Sequence, residues 1–280
     1  MAERWAKLSR KSPLRRFLSG LRGTRTPIPH RHRKAAPKLS EQYFHLTHPG
    51  MRRPTNQDQT ITTSLPDGRL LLLVADGVGG AGGGEVASAT TRESMVARLT
   101  EIDIDDPATA LREAVREANM RVRMLATTDK RLSSMATTLV AAIVEGSTAW
   151  IINVGDSRAY LCANGAAEAL TLDDSWVAEQ VRAGALTPEE AAESPYQNVI
   201  TRGVGVEDGI NVEVVLKRTL APGEVILLCS DGLYRHVSPE EIAAVVAEQP
   251  LSVAGKALIE MANDAGGLDN ISVAIYRHSA

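Results

Sequence analysis

Aromatic side chains are scarce: two Phe, three Trp and five Tyr make up 4% of the 280 residues. A core must therefore be built from Val, Ile, Leu and Ala. No run of 18 or more apolar residues occurs, which excludes a membrane-spanning helix by length. The longest hydrophobic run beside a motif, Leu70–Ala75, has the length of a strand. Only two cysteines are present, Cys162 and Cys229, in apolar strand-like runs without metal-ligand spacing. They are expected as buried free thiols of a reducing compartment. A secretory h-region is also missing. These absences set the expectation of a soluble, cytoplasmic protein. With 44% hydrophobic residues, the chain can fill one large core without splitting.

The small net charge of −3 hides an asymmetry. Residues 1–40 carry 12 Lys/Arg against the single acid Glu3, +11, whereas residues 41–280 carry 19 Lys/Arg against 33 acids, −14. The first forty residues, rich in Arg, Pro and His, lack a core pattern and read as a basic, disordered tail. Within them Leu14, Phe17, Leu18 and Leu21 follow the i, i+3, i+4, i+7 spacing of a short amphipathic helix. Such a helix would give weak contact with an anionic surface, and an Arg-rich, acid-poor start also resembles an organellar transit peptide. The acidic body argues against a nucleic-acid partner.

From residue 41 onward strands and helices alternate in blocks. Leu70–Ala75, Thr137–Val144, Ala149–Val154 and Val225–Cys229 are aliphatic or β-branched runs bounded by Gly and Asp, the pattern of short strands. The turn at residues 145–148 joins two of them as an antiparallel hairpin. Residues 85–99 and 107–126 read as helices; in the second, Leu111, Val115, Ala118, Val122 and Leu125 share one face. Residues 173–184 and 187–193 read as two short polar helices, the latter opened by a Thr187-Pro188-Glu189-Glu190 cap. Residues 239–247 and 251–265 close the chain as helices before a strand at 271–276. Hairpins and helix pairs without βαβ regularity indicate an α+β sandwich.

Four aspartates recur in one setting, at the end of an apolar strand or in a tight turn beside Gly or Asn. Asp58 closes Arg53-Pro54-Thr55-Asn56-Gln57-Asp58, Asp76 ends LLLLVADGVGG, Asp231 ends VILLCSDG, and Asp269 lies in Gly267-Leu268-Asp269-Asn270. Carboxylates converging at buried strand mouths repel one another, and a divalent cation removes that penalty. All-oxygen ligands favour Mg²⁺ or Mn²⁺ over zinc. A lone Asp-Gly after a strand is usually only a turn. The glycine-rich stretch at residues 79–84 reads either as a flexible loop or as a phosphate cradle, and it lacks the Gly-Lys-Ser/Thr ending of a nucleotide P-loop.

Together with Ala136-Thr137-Thr138, Val154-Gly155-Asp156-Ser157-Arg158 and Cys229-Ser230-Asp231-Gly232, these motifs stand in the order found in a known family. Over about residues 41–277 the chain resembles the metal-dependent serine/threonine protein phosphatases of type 2C, especially their compact bacterial members. The resemblance implies a four-layer α/β/β/α sandwich of two antiparallel sheets flanked by helix pairs. It implies two Mn²⁺ or Mg²⁺ ions held by Asp58, Asp76, the Gly77 carbonyl, Asp231 and Asp269, with Asp58 and Asp76 meeting both ions. Arg53 matches the arginine that holds the substrate phosphate, a role suited to guanidinium geometry. The implied activity is hydrolysis of phosphoserine and phosphothreonine in proteins by a metal-activated water, reversing a Ser/Thr kinase, by a monomer. Residues 173–200 correspond to the family's flap, while Asp156-Ser157-Arg158, His45 and His48 read as structural or surface residues. Gln57 stands where the family has Glu, Ala136 where it has Gly. Arg131 takes the position of a third-metal aspartate, with Asp129 the nearest carboxylate, which leaves a third ion open. The alternative is a catalytically weak phosphoprotein-binding pseudophosphatase, which loss of a ligand Asp would mark; none is lost. A haloacid-dehalogenase-type phosphatase would need Asp-x-Asp where Asp76-Gly77-Val78 stands.

Overall fold

The computed structural model describes residues 42–279 apart from 80–81, 102–104, 211 and 213–214. The chain divides into two units, Met1–Ala36 and Pro37–Ala280, and only the second contains described residues. The basic segment 1–40, its amphipathic pattern and its boundary therefore lie outside the described residues.

The run Leu70–Ala75 is strand β3 of a sheet that also contains β2 (Gln59–Ser64), β6 (Leu139–Glu145), β7 (Thr148–Val154) and β10 (Val215–Thr219). Its order is β10-β7-β6-β3-β2, antiparallel throughout. Every residue of β3 is buried, as an unbroken apolar run requires when both sheet faces are covered. Leu70, Leu72 and Val74 face a core shared with Ile226, Leu228 and Ala274 of the second sheet. Leu71, Leu73 and Ala75 face helices α1 (Gly83–Glu101) and α2 (Pro107–Thr128).

The second sheet is ordered β1-β12-β11-β8-β9, from β1 (Tyr43–His48), β12 (Ile271–Arg277), β11 (Val225–Cys229), β8 (Arg158–Ala163) and β9 (Ala166–Ala169). Its outer face is covered by α6 (Pro239–Glu248) and α7 (Leu251–Asp264). Two sheets between two helix pairs make the four-layer α/β/β/α sandwich that the family resemblance implies. A two-stranded ribbon of β4 (Gly77–Val78) and β5 (Ala136–Thr137) stands apart.

Local chemistry explains the helix boundaries. Asp106 caps α2 by accepting from the Ala108 and Thr109 amides, with Pro107 in the first turn, where its missing N–H is harmless. Leu111, Val115, Ala118 and Val122 are fully buried on one face. The predicted polar pair forms as α3 (Trp176–Arg182) and α4 (Pro188–Ala192), the latter with the full Thr187/Glu190 capping box. A four-residue helix α5 (Asp231–Tyr234) follows β11.

One expected strand, Thr137–Val144, is instead broken between β5 and β6. The cause is Thr138, whose amide donates to the Asp76 carbonyl at 2.9 Å while Thr137 pairs with Gly77 and Val204.

Both cysteines are buried and free. Burial pushes the Cys162 thiol up to about 12 and the Cys229 thiol higher still, so neither forms appreciable thiolate at neutral pH. In folded protein at pH 8, Ellman's reagent is expected to label neither; after unfolding in guanidinium it should label both. Labelling in the folded state would contradict the burial.

Candidate metal centre

The elements deliver carboxylates to one end of the sandwich. Asp76 follows β3, Asp231 opens α5 after β11, and Asp156 follows β7, while Asp58 and Asp269 lie just before β2 and β12. Asp76, Asp156, Asp231 and Asp269 line one cavity of about 190 Å³ with Arg53, Gln57 and Gly77. A larger groove of about 530 Å³ is lined half by apolar residues such as Leu170 and Leu216 and half by polar ones, with two carboxylates, Asp174 and Glu207, beside Arg202. The smaller cavity gathers four carboxylates and is the chemical candidate.

Each aspartate is positioned by its neighbours. Asp58 is only 2% exposed; its Oδ2 accepts from Ser230 Oγ at 2.8 Å and Ser272 Oγ at 2.7 Å, and its Oδ1 is buried without a partner. The Asp76 amide donates to Thr138 Oγ1 at 3.0 Å, and its carbonyl accepts from Thr137 Oγ1 at 2.8 Å. Asn270 ties down the loop before Asp58: its side chain accepts from the Gln57 amide and donates to the Pro49 and Thr55 carbonyls, all within 2.9 Å. Asp231 Oδ1 is likewise buried and unpartnered.

Two glycines permit the close approach that builds the floor. A side chain on Gly77 would collide with the Gly84 carbonyl, and one on Gly84 with Gly77 and Gln57. The described part of the glycine-rich stretch thus packs the start of α1 onto the end of β3; Gly80 and Ala81 lie outside the described residues.

Electrostatics report the crowding. Burial, opposed by its two serine hydroxyls and reinforced by Asp231 and Asp269, raises the Asp58 carboxyl to about 7. Burial and then the charges of Asp58, Asp231, Asp156 and Asp269 push Asp76 far above the usual carboxylate range. Asp231 is raised by burial and by Asp269, against the opposing Arg235. Carboxylates that are costly to ionise together call for a cation among them.

The donors fit hard divalent ions. They are all oxygen, two buried carboxylate oxygens have no partner, and the pocket has room for water. Among the described residues no three Asp, Glu, His or Cys side chains close on a single point. This open arrangement suits ions such as Mg²⁺ that keep part of their water shell, rather than a closed all-protein cage.

The structure therefore brings together the sequence-predicted Asp76, Gly77, Asp231 and Asp269, with Asp58 buried among them. Arg53 also lines the cavity, but its Nη2 rests on Asp269 Oδ2 at 2.7 Å. Asp129 is occupied by Arg131, which contacts both carboxylate oxygens at 2.6–3.2 Å. His45, exposed on β1, bonds Thr62, and the half-buried His48 accepts from the Gly50 amide; neither lines the cavity.

Asp156 was undervalued in the sequence, where it reads as a turn residue. It is 5% exposed, lines the cavity and is raised to about 7 by burial and by Asp231, with Arg235 opposing. The signal was available: Val154-Gly155-Asp156 repeats, after β7, the strand-end placement of Asp76. The Tyr234 hydroxyl donates to the Asp156 carbonyl at 3.0 Å. Arg158 stacks 3.7 Å from the Tyr234 ring centre while binding Asp173.

Comparison with known proteins gives the family. The family model described as protein phosphatase 2C matches residues 52–269. A serine/threonine phosphatase, stp, of Listeria welshimeri is 35% identical over 238 residues, covering 82% of this chain and 93% of that protein. The structure of the S. agalactiae serine/threonine phosphatase superposes with a TM-score of 0.80 at 33% identity, covering 84% of this chain and 99% of that one. The catalytic domain of the phosphatase PstP, solved in complex with two manganese ions, superposes at 0.76 with 31% identity, covering 85% and 98%. With the family matched across most of its length, the chain belongs to the protein phosphatase 2C family.

Proposed function

We propose that this protein hydrolyses phosphoserine and phosphothreonine in proteins, with Asp58, Asp76, the Gly77 carbonyl, Asp231 and Asp269 holding two Mn²⁺ or Mg²⁺ ions. The observation that carries the reading is the pair of unpartnered buried oxygens, Asp58 Oδ1 and Asp231 Oδ1, among carboxylates that raise one another's pKa. Bound divalent ions supply a water of lowered pKa and offset charge on phosphoryl oxygens.

The chain's own residues do the positioning. Ser230 and Ser272 fix Asp58 by one oxygen and leave the other available. Thr137 and Thr138 fix the backbone from which the Asp76 side chain projects. Arg53 is half exposed at the rim, and a phosphate dianion is a stronger bidentate partner than the single Asp269 oxygen it now contacts. We assign it the substrate phosphate. The partners are phosphorylated proteins, in opposition to a Ser/Thr kinase. The reading places the protein in the cytoplasm, where two buried thiols stay reduced, and takes it to act as a monomer. A third ion is not assigned, because Asp129 is held by Arg131.

Hydrolysis of p-nitrophenyl phosphate by the full chain tests the reading. Activity should appear with Mn²⁺ or Mg²⁺, fall at least about tenfold with EDTA, and return on adding back excess metal. Turnover that survives chelation would overturn it.

A further inference from the structure

Arg235 leaves the end of α5 one turn after Asp231. Its Nε lies 3.0 Å from Asp231 Oδ2, close in charge but without an aligned hydrogen bond. Its Nη2 is 3.6 Å from Asp156 Oδ2. The two shortest donor contacts at its far end go elsewhere: Nη1 donates to Asn198 Oδ1 at 2.6 Å and Nη2 to the Gln197 carbonyl at 3.0 Å. The side chain is only 23% exposed.

Gln197 and Asn198 belong to an excursion that carries α3 and α4. Its base is closed by the antiparallel bridge Ser175↔Ile200 and by the Thr201 amide donating to the Asp174 carbonyl at 2.8 Å. Asn198 and Ile200 line the carboxylate cavity. The simplest role for Arg235 is a counterion to Asp231 and Asp156. A counterion, however, needs a charge alone and not a fork directed at an amide oxygen and a backbone carbonyl. A planar guanidinium divided between carboxylates and uncharged acceptors fixes relative geometry in a way that an ammonium does not.

We propose that Arg235 is a positioning residue that seats residues 197–198 against the carboxylate cavity, and so determines how well a phosphopeptide, as opposed to a small phosphate ester, is received there. The proposal rests on the phosphatase reading for its substrate, but not for its geometry. On this proposal the flanks of a phosphopeptide press on the 197–198 limb, which forms one wall of the cavity, whereas a small ester depends chiefly on the carboxylate floor and Arg53.

The experiment combines two readouts on the full chain: Arg235→Ala, Arg235→Lys, Asn198→Ala and the Arg235→Ala/Asn198→Ala double variant. Amide hydrogen exchange over residues 194–200 should accelerate about tenfold in either alanine variant, with the double variant no faster than Arg235→Ala, as for two ends of one contact. The ratio of kcat/KM for a phosphothreonine peptide to that for p-nitrophenyl phosphate should fall at least about fivefold in Arg235→Ala. It should fall similarly in Arg235→Lys, which keeps the charge and loses the fork. Unchanged exchange, equal losses on both substrates, or full recovery of the ratio by lysine would each overturn the proposal. If the wild type hydrolyses neither substrate, the phosphatase reading fails while the exchange data still decide the contact. Asn198→Ala leaves Asp231 and its cation in place, so it separates loss of the contact from misfolding of α5.

Discussion

Asp76→Asn is expected to lower turnover about a thousandfold, ~4 kcal/mol of transition-state stabilisation, and at the same time to make the metal-free protein more stable. The two signs have one cause. Asp76 lies among Asp58, Asp231, Asp156 and Asp269, and without a cation each added negative charge raises the energy of the folded state. Asparagine keeps the shape and removes the charge. Its carboxamide cannot supply the anionic oxygen that a divalent ion needs.

In EDTA the variant should therefore melt above wild type. With Mn²⁺ present the order should reverse, because a ligand at about 100 times its Kd stabilises the protein that binds it by ~2.7 kcal/mol. Thermal unfolding in both buffers checks this, and a variant less stable than wild type in EDTA would sink it. The pH dependence of the metal-free wild type follows the same logic. Asp58 and Asp156 titrate near 7 when folded, against 3.8 as the ordinary value. The folded state then binds protons more tightly, so their stabilising contribution is complete below about pH 4 and is lost as pH rises through 7.

Much of this centre was legible in the sequence because its residues sit at punctuation points. A long aliphatic run followed by Asp-Gly announces a buried strand that ends at a carboxylate, and Asp76 and Asp231 are both found that way. What the sequence concealed were contacts made by ordinary side chains. Ser230 has no role of its own assigned within the Cys229-Ser230-Asp231-Gly232 motif and Ser272 none at all, yet they hold Asp58. Asn270 looked like a companion of Asp269, yet it anchors the opposite loop across more than two hundred residues. Arg235 had no motif at all.

The strands divide along the same line. The central β3, β6, β7, β11 and β12 were read, give or take the break at Thr138. The four edge strands β1, β2, β9 and β10 were not, and neither was the interior β8, whose start at Arg158 is hidden in a motif that reads as a turn. Sequences such as QTITTS and VLKRT are half exposed, so their apolar content is too low to stand out from loops.

Leu72→Ala is expected to be among the most damaging truncations of the body. Leu72 is fully buried at the middle of β3, flanked in the sheet by Thr62 and Ala142, on the face that meets the second sheet. Its neighbours there are strand residues locked in two ladders, so the layers cannot close over the lost methyls as a loop would. Removal of buried leucine atoms costs ~2–5 kcal/mol, the upper part of that range where the surroundings do not relax. For a body of this size each kcal/mol lowers the melting temperature by ~2–4 °C, so a drop on the order of 10 °C is expected. Met120→Ala, on the exposed face of α2 at 63% exposure, should leave the melting temperature nearly unchanged. Because Asp76 directly follows β3, the Leu72 lesion lies four residues from the carboxylate. If the sandwich is as rigid as its packing indicates, Leu72→Ala should unfold earlier on heating yet retain its metal requirement at 20 °C. Loss of metal response at temperatures where the protein is still folded would show that the strand end depends on core packing as well as on Thr137 and Thr138.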